Sequence, residues 1–317
     1  MMKKILCLVL PALLLLCSCT SEIPDEPPGT SDESLESSVS DIPGVDFSIA
    51  NGAAPSVLIS EGDSAPSEYP VVINGTQINS SPKRIVCLSQ PLTEMIYEFG
   101  FGDRLIARGS YCDYPEEAAA LPDAGRPTQP DIDAIISMQP DLLLTATAIA
   151  GKDKLVLSDS GIEVLYIPAP LSFGEFENIY TALGMVFYGL FDGESRGAEV
   201  FSDIKTAFSE SDTQLGSFIY VTEGLCAAGG DTFESSVLSF FGKNLAEDRS
   251  GYIPADDIAD SVSPDTVILN SVYGLTELAD SGFGMLDAVK NGRVIIIDNS
   301  YFEAPSKRIT ELIGELR

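Results

Sequence analysis

The side chains that could do chemistry in this 317-residue chain are carboxylates, hydroxyls and six cysteines, because the sequence contains no histidine and no tryptophan. Without histidine there is no Ser-His-Asp or Cys-His nucleophile and no His-ligated zinc. The cysteines lack metal-ligand spacing, and neither a GxSxG motif nor a Gly-rich phosphate loop is present. We therefore expect no enzyme. A glycosidase, which needs only two carboxylates, remains the catalytic alternative.

One of the cysteines stands where a lipid could be attached. Lys3-Lys4 precedes an apolar run of residues 5–16, and Leu16-Cys17-Ser18-Cys19 follows. This order is typical of a secretory signal, and a run of 12 residues is shorter than the roughly 20 that span a bilayer. The ending resembles a bacterial lipoprotein signal, in which the cysteine after the cut is diacylated. The pattern predicts lipidation at Cys19; Cys17 fits less well, because Leu16 would then lie at the cleavage site. An ordinary cleaved signal with incidental cysteines is the alternative.

The formal charge of −30 argues against nucleic acid as a partner, because an acidic surface is repelled by phosphate. Residues 20–68 contribute eleven acids and no Lys or Arg, with frequent Ser, Pro and Gly. Such a composition does not support a packed core. We interpret residues 1–18 as the signal peptide and 19–68 as the lipidated cysteine followed by a disordered acidic linker.

The body that follows alternates strands with helices, which favours parallel strand pairing and an α/β sandwich. The apolar and turn patterns predict strands at 69–73, 84–88, 105–107, 142–144 and 163–167, with Asn74-Gly75 as a turn, and helices at 92–99, 131–138 and 152–160. The alternation resumes later with strands at 217–221, 266–269 and 294–297 and helices at 234–241 and 306–316.

Between these two regions the pattern is helical only. Apolar residues from Phe176 to Phe208 recur at helical spacing, with Asp192-Gly193 as an expected interruption. A helix of roughly 35 residues would be about 50 Å long. We therefore expect an N-terminal lobe at 69–172 and a C-terminal lobe at 212–317, joined by a single long rigid helix at 173–211.

The two predicted lobes share a short internal repeat. Asp133 precedes Pro140-Asp141 by seven residues, and Asp257 precedes Pro264-Asp265 by seven; an apolar strand follows each time. Each copy reads as helix, Pro-Asp turn and buried strand, since proline disfavours continued helix before it. Two similar lobes form a cleft, and ligands favour clefts between lobes.

Several segments, in this order, resemble the solute-binding proteins of ABC importers for cobalamin, haem and iron-siderophore complexes. They are Pro82 to Ser89, Thr93 to Gly100, Ala288 to Val294 and Phe302 to Ile309. Ser110-Tyr111-Cys112-Asp113-Tyr114-Pro115 is similar to the cobalamin-binding branch in particular. The resemblance covers about 69–317. It implies two α/β lobes bridged by a long rigid helix, with the ligand cleft between them.

The resemblance also implies partners and a location. The protein would work as a monomer, tethered by lipid at the extracytoplasmic face of the bacterial cell membrane, and would deliver a small molecule to an ABC permease dimer with its ATPase subunits. In the family an acid on each lobe docks to permease arginines, and Asp133 and Asp257 occupy those positions. The family more often has Glu there, and Asp131 and Asp256 are neighbouring alternatives.

The implied cargo is a corrinoid. Six residues are expected on the ligand side. Tyr111 matches a cobalamin-contacting tyrosine of the family, and Tyr252 lies near an aromatic of its second lobe. Gln90 and Thr93 lie at a strand-to-helix turn that would face the cleft, and Phe302 and Tyr301 lie on the closing loop. Flat aromatic rings suit the face of a corrinoid, although each could instead pack in the core. The absence of Trp, common in cobalamin binders, departs from the family. No resident cofactor or metal is expected.

The sequence is also compatible with other functions. The same fold could bind a ferric siderophore or haem. Anionic siderophores call for Arg or Lys, and only Arg108 and Arg126 lie near the expected cleft. A surface-anchored hydrolase and an adhesion or signalling module are more remote alternatives.

Overall fold

The computed structural model describes residues 68–317, which all belong to one compact unit. The predicted signal peptide, Cys19 and nearly all of the acidic linker lie outside the described residues.

The first half of the described chain begins with a hairpin and continues with a parallel sheet. Its elements are β1 (Val71–Ile73), β2 (Thr76–Ile78), β3 (Ile85–Cys87), α1 (Gln90–Glu98), β4 (Leu105–Arg108), α2 (Glu116–Ala119), β5 (Gly125–Arg126), β6 (Gln129–Pro130), α3 (Ile132–Met138), β7 (Leu142–Thr145), α4 (Gly151–Asp159) and β8 (Glu163–Tyr166). The strand order β4-β3-β7-β8 is parallel throughout. Asn74-Gly75 turns the β1–β2 hairpin with both residues at positive φ, as a two-residue hairpin turn requires.

The sequence of this sheet explains its position in the core. Every residue of β3 and β7 is buried, as expected for strands covered by helices on both faces. Alternate residues of these strands therefore pack into two separate hydrophobic cores on opposite faces of the sheet. Cys87 and Leu144 belong to the core that includes α1, whereas Val86 and Leu143 belong to the core that includes α3 and α4. The predicted parallel α/β layer is confirmed.

The helical segment α5 (Phe173–Ser209) corrects the expectation of a single straight helix. Gly189 has φ 85° and ψ −168°, which no helix accommodates, and the chain folds back there. Lys205 Nζ lies 3.0 Å from Glu177 Oε1, and the rings of Phe173 and Phe208 are 5.3 Å apart. In a continuous helix residues 177 and 205 would be about 42 Å apart. The segment is an antiparallel hairpin with arms at 173–188 and 190–209.

The expected interruption at Asp192-Gly193 is wrong for a related reason. Gly193 lies inside the second arm, and a Cβ there would come within 2.4 Å of Met185 Cα. Gly184 and Gly197 are similarly close to the opposite arm. These glycines let the two backbones approach, whereas Gly189, within an apolar stretch, supplies the turn.

Both arms run between the two halves of the molecule. The start of the first arm packs against the second half, where Phe173 N donates to Ser236 Oγ at 2.8 Å. Its end packs against the first half, with Phe187 stacked near Phe101 at 4.7 Å between ring centroids. The return arm ends with Phe208 beside Phe241. The helical connection is thus present, as a hairpin.

The second half builds a six-stranded sheet. Its elements are β9 (Gly216–Thr222), β10 (Cys226–Ala228), α6 (Phe233–Leu238), β11 (Gly242–Asn244), β12 (Tyr252–Pro254), α7 (Ala255–Ile258), β13 (Thr266–Asn270), α8 (Leu275–Asp280), α9 (Asp287–Lys290), β14 (Val294–Ile297), α10 (Ser300–Glu303) and α11 (Leu312–Glu315). β11, β9, β13 and β14 are parallel, and β10 and β12 add an antiparallel edge that the sequence did not predict. The predicted final helix at 306–316 is a 3₁₀ turn, Lys307–Glu311, followed by α11.

The internal repeat recurs as a repeated hydrogen-bond pattern. Asp141 of the first Pro-Asp turn accepts from the backbone amides of Lys83 and Arg84, at 2.7 and 3.0 Å, where the chain enters β3. Asp265 of the second accepts from the amide and hydroxyl of Ser217, in β9. These donors lower the pKa of the Asp265 carboxyl, the Ser217 hydroxyl most. In each half, the turn aspartate therefore fixes the register of the neighbouring parallel strand.

The end of the chain returns to the first half. Arg308 makes a bidentate ion pair with Glu94 of α1, with Nε–Oε2 at 2.8 Å and Nη2–Oε1 at 2.6 Å. Ser306 Oγ donates to the same carboxylate at 2.5 Å, and the guanidinium lies over the ring of Tyr114. Next to this pair, Glu98 accepts from Tyr180 and from the Lys307 amide; burial is the main cause that raises the pKa of Glu98. We call Glu94, Ser306 and Arg308 the clamp.

Candidate functional site

A cleft opens where the carboxyl ends of the parallel strands of both sheets meet. The segments after β3, β4, β7 and β8 line it on one side, and the segments after β9 and β14 on the other. Parallel strands place their carboxyl ends at one edge of a sheet, and loops there carry the binding groups of open α/β sheets. The geometry is that of a ligand site shared by two lobes.

The first part of the cleft is a cavity of about 510 Å³ with a largely apolar wall. Gln90 and Tyr111 line it, as predicted, and Ile179 of the first arm forms its floor together with Met95. Glu303 and Pro305 of the second half close it from the opposite side. Tyr111 is 57% exposed, so its ring is accessible at the cavity rather than packed in the core.

The second part is a cavity of about 420 Å³ on the other side of Glu303. Tyr252 and Phe302 line it, as predicted. The Tyr252 hydroxyl donates to Glu234 Oε1 at 3.0 Å; burial and the Glu234 carboxylate raise the pKa of this phenol. Phe302 packs on Tyr220, with ring centroids 5.4 Å apart. Both volumes fall within the range of small-molecule sites.

Two of the predicted ligand residues lie elsewhere. Thr93 is fully buried beneath the first cavity, beside the thiols of Cys87 and Cys112, and belongs to neither wall. Tyr301 donates to Glu315 Oε1 at 3.1 Å, away from both cavities, and burial followed by Glu315 raises the pKa of its phenol to about 12. In the first case Thr93 lies one turn beyond Gln90 along α1, and therefore one turn further from the strand end at which the cleft opens.

The two arginines considered at the cleft have different surroundings. Arg108 is used by the protein itself, because it donates to the carbonyls of Ala119, Gly109 and Ser110 and so shapes the loop that carries Tyr111. The Arg126 guanidinium lies 5.9 Å from the centroid of the Tyr111 ring, at the mouth of the first cavity. Neither arginine lines either cavity.

The residues that the sequence did not indicate are mostly polar groups at strand ends. Ser89, Glu223, Glu234, Asn299 and Glu303 all line the cleft. Asn299 donates to Glu303 Oε1 at 2.6 Å and accepts from the Tyr220 hydroxyl. The strand-end rule could have found Ser89, which directly follows the predicted strand 84–88, and Glu223, two positions after the predicted strand 217–221. Acids, however, are too common in this chain for Glu223 to stand out.

The proposed docking acids occupy equivalent places. Asp133 lies in the first turn of α3 and Asp257 in the first turn of α7, and both are exposed. Asp131, by contrast, caps α3 by accepting from the Ala134 amide at 3.0 Å. Each helix begins at the sheet edge on which the cleft opens. In the first half, the Asp131 amide donates to the Ala124 carbonyl and the Ala124 amide donates to the carbonyl of Arg108, at the end of β4. In the second half, α7 directly follows β12, which pairs with β10.

Two cysteines of the first half lie in the protein interior. Cys87 and Cys112 are buried and unpaired, and burial raises the pKa of the Cys87 thiol to about 12. Residues 68–317 contain no group of three or more Cys, Asp or Glu side chains arranged to hold a metal ion. Over the same residues, no helix has the length and apolarity needed to cross a membrane.

Comparison with known proteins places this architecture. Residues 85–301 match the family described as periplasmic binding protein. An uncharacterized ABC transporter substrate-binding lipoprotein of Bacillus subtilis is 27% identical over 275 residues, covering 78% of this chain and 84% of that protein. The vitamin B12-binding protein of Vibrio parahaemolyticus is 22% identical over 255 residues, covering 76% and 90%.

Solved structures show the same fold. A possible iron-binding, periplasmic solute-binding protein of Staphylococcus epidermidis superposes with a TM-score of 0.61 at 22% identity, covering 75% of this chain and 98% of that one. The periplasmic vitamin B12-binding protein of Vibrio cholerae gives 0.56 at 19% identity, covering 74% and 95%. Identities this low speak for the fold alone.

Proposed function

The chain belongs to the periplasmic binding protein family, and from that membership we propose that it is the substrate-binding component of an ABC importer. It captures a small molecule in the cleft between its two halves and delivers it to the permease. The relatives named substrate-binding lipoprotein and vitamin B12-binding protein support this assignment. A family of binding proteins also argues against the hydrolase alternative.

The cargo we propose is a corrinoid. The observation that carries this choice is the presence of aromatic rings in both parts of the cleft: Tyr111 in the first cavity and Tyr252 and Phe302 in the second. Flat apolar surfaces bury well against such rings. The walls offer no Lys or Arg side chain to an anionic ferric catecholate among the residues described.

A ferric siderophore or haem is the second candidate. Of these two ligands, haem is favoured by one observation. The exposed Tyr111 side chain carries a phenol, which is an iron ligand in some haem proteins. Spectroscopy separates the two candidates, because a phenolate–iron charge-transfer band would appear with haem and is impossible with cobalamin.

We propose the partners that go with this role. The mature protein is a monomer tethered by lipid at Cys19, on the extracytoplasmic face of the membrane, and two acyl chains make such an anchor stable. The exposed acids Asp133 and Asp257 dock to cations of the permease dimer, which works with its ATPase subunits. Two separated anions fix the orientation of docking as well as the contact itself.

Titration calorimetry of the mature protein with cyanocobalamin tests the cargo. The wild type should bind, and Tyr111→Ala should weaken the affinity at least tenfold, about 1.4 kcal/mol, because a stacking surface is lost. Phe191→Ala is the matched control, since Phe191 is half exposed at the turn of the helical hairpin, far from the cleft. Flat titrations with cyanocobalamin, beside clear binding of haem or a ferric hydroxamate, would reject the corrinoid.

A further inference from the structure

The two sides of the cleft differ in charge. Glu223, Glu234 and Glu303 line the second cavity, and Glu303 also reaches the first. Within residues 68–317, no Lys or Arg forms an ion pair with any of these three carboxylates. They do not converge as metal ligands either. One side of the cleft therefore holds three carboxylates without a countercharge.

The opposite side presents a donor without a partner. Ser89 is 5% exposed and lines the first cavity, yet its Oγ makes no hydrogen bond within the described part of the chain. Ser89 is also the N-cap of α1, and its side chain caps no amide of that helix. A buried hydroxyl left unpaired is unfavourable, so a ligand acceptor that approaches Ser89 from the cavity would relieve this cost. The positive end of the α1 dipole and Arg126 at the mouth favour an acceptor or anionic group on this side.

This inference rests on the proposed function: we propose that the cleft selects its cargo by charge. The cargo carries amide donors or positive charge on the side that faces Glu223, Glu234 and Glu303. It carries a hydrogen-bond acceptor on the side that faces Ser89. Cargo with carboxylates on the face toward these three acids is rejected, because like charges repel. The substrate class is thus a neutral or cationic macrocycle with amide side chains.

A pair of corrinoids with the same ring tests this selection. Aquacyanocobinamide carries amide side chains and positive charge, whereas aquacyanocobyrinic acid carries carboxylic acids in their place. Calorimetry with the purified mature protein at neutral pH should give at least tenfold tighter binding of the cobinamide. Equal affinity, or preference for the acid, overturns the proposal.

Three variants assign the selection to residues. Glu223→Gln and Glu303→Gln keep side-chain size at exposed positions and should each reduce the cobinamide-to-acid ratio at least threefold. Glu194→Gln, an exposed acid on the helical hairpin away from the cleft, should leave the ratio unchanged. If the two cleft variants also leave it unchanged, the carboxylates do not select cargo.

Ser89→Ala separates a ligand contact from a structural role. Because the hydroxyl has no partner within residues 68–317, its removal should leave the melting temperature unchanged or higher while weakening cobinamide binding at least threefold. A lower melting temperature with unchanged affinity would show that Ser89 serves the fold.

A second ligand pair distinguishes failure of charge selection from failure of the corrinoid assignment. If neither corrinoid binds, the cargo assignment fails, and ferrioxamine B, which is cationic, is compared with its anionic N-succinyl derivative. At least tenfold preference for the cation then supports charge selection in a siderophore binder. Absence of that preference, or no binding of any of the four probes, overturns it.

Discussion

At the scale of single residues, the most informative positions are the aspartates of the internal repeat, which occur once in each half of the molecule. Asp133 and Asp257 head equivalent helices, are exposed, and make no hydrogen bond or ion pair within residues 68–317. Asp141 and Asp265, eight positions further on in each copy, accept hydrogen bonds from the backbone amides of Lys83 and Arg84 and from the amide and hydroxyl of Ser217, respectively. The repeat therefore separates acids that build the fold from acids left available for a partner.

Charge reversal tests the available pair. Asp133→Lys with Asp257→Lys should abolish cargo uptake in cells while leaving the affinity of the purified protein unchanged, because these side chains are the proposed permease contacts and line neither cavity. Uptake of labelled cobalamin and calorimetry are the two measurements. Asp287→Lys, also an exposed acid in a first helical turn, should leave both unchanged. A fall in affinity in the double variant would assign these acids to the binding site or the fold.

At the scale of elements, the helical hairpin depends on the contact between its arms. A Cβ at Gly197 would lie 2.5 Å from the Tyr180 carbonyl oxygen and 2.6 Å from Thr181 Cα, both backbone atoms of the facing arm. Backbone cannot move aside as a flexible side chain can. The arms must therefore separate to accept any side chain at this position.

Gly197→Ala should consequently lower the free energy of unfolding by about 1–3 kcal/mol, the usual cost of overpacking. Urea denaturation followed by circular dichroism measures it. Gly314→Ala is the matched control, because Gly314 also lies in a helix but has no atom within 4 Å of the added Cβ. That change should be neutral or stabilising by up to about 1 kcal/mol. Equal effects of the two substitutions would contradict the close approach.

The elements also show what sequence could and could not predict. Strands such as β7 were predicted because Leu142 to Leu144 is apolar on both faces and bounded by a Pro-Asp turn. The turn at Gly189 was missed because it lies in an apolar run, whereas Asp192-Gly193 has the composition of a turn but lies within a helix. Only the pairing of the arms, a tertiary contact, decides which glycine turns the chain.

The residues of the cleft also divide into those that the sequence could predict and those that depend on tertiary contacts. Gln90, Tyr111, Tyr252 and Phe302 line the cleft, as the family resemblance implied. The unpartnered Ser89 and the uncompensated carboxylates depend on which side chains face each other across two sheets. Neither local pattern nor composition contains that information. Whether each residue binds cargo stays a prediction for the experiments above.

At the scale of the whole molecule, the clamp joins the two halves. The Glu94 side chain is 1% exposed and its charge is balanced by Arg308, 214 positions away in the sequence. The same C-terminal segment carries Phe302, Glu303 and Pro305 into the cleft. The clamp thus sets the position of one cleft wall relative to the other.

Removing the cation should be costly because it leaves a carboxylate buried and unpaired. Arg308→Ala should lower the free energy of unfolding by about 3 kcal/mol, measured by urea denaturation. Arg308→Lys should be intermediate, since the bidentate geometry is lost. Arg196→Ala breaks the exposed pair with Glu199 and should have no measurable effect. If Arg308→Ala behaves like Arg196→Ala, the clamp contributes nothing to stability.

The long sequence separation of the clamp has a consequence for the order of events during synthesis. The first sheet and α1 emerge from the ribosome early, but the partner of Glu94 is made only near residue 308. Until then the earlier half keeps an unneutralised acid in what will become its interior, and Glu98 also lacks its donor from the Lys307 amide. Domains usually fold from the N-terminus as the chain grows. Here the partner of Glu94 is among the last residues made, so we expect the earliest part to complete its folding only after translation is finished.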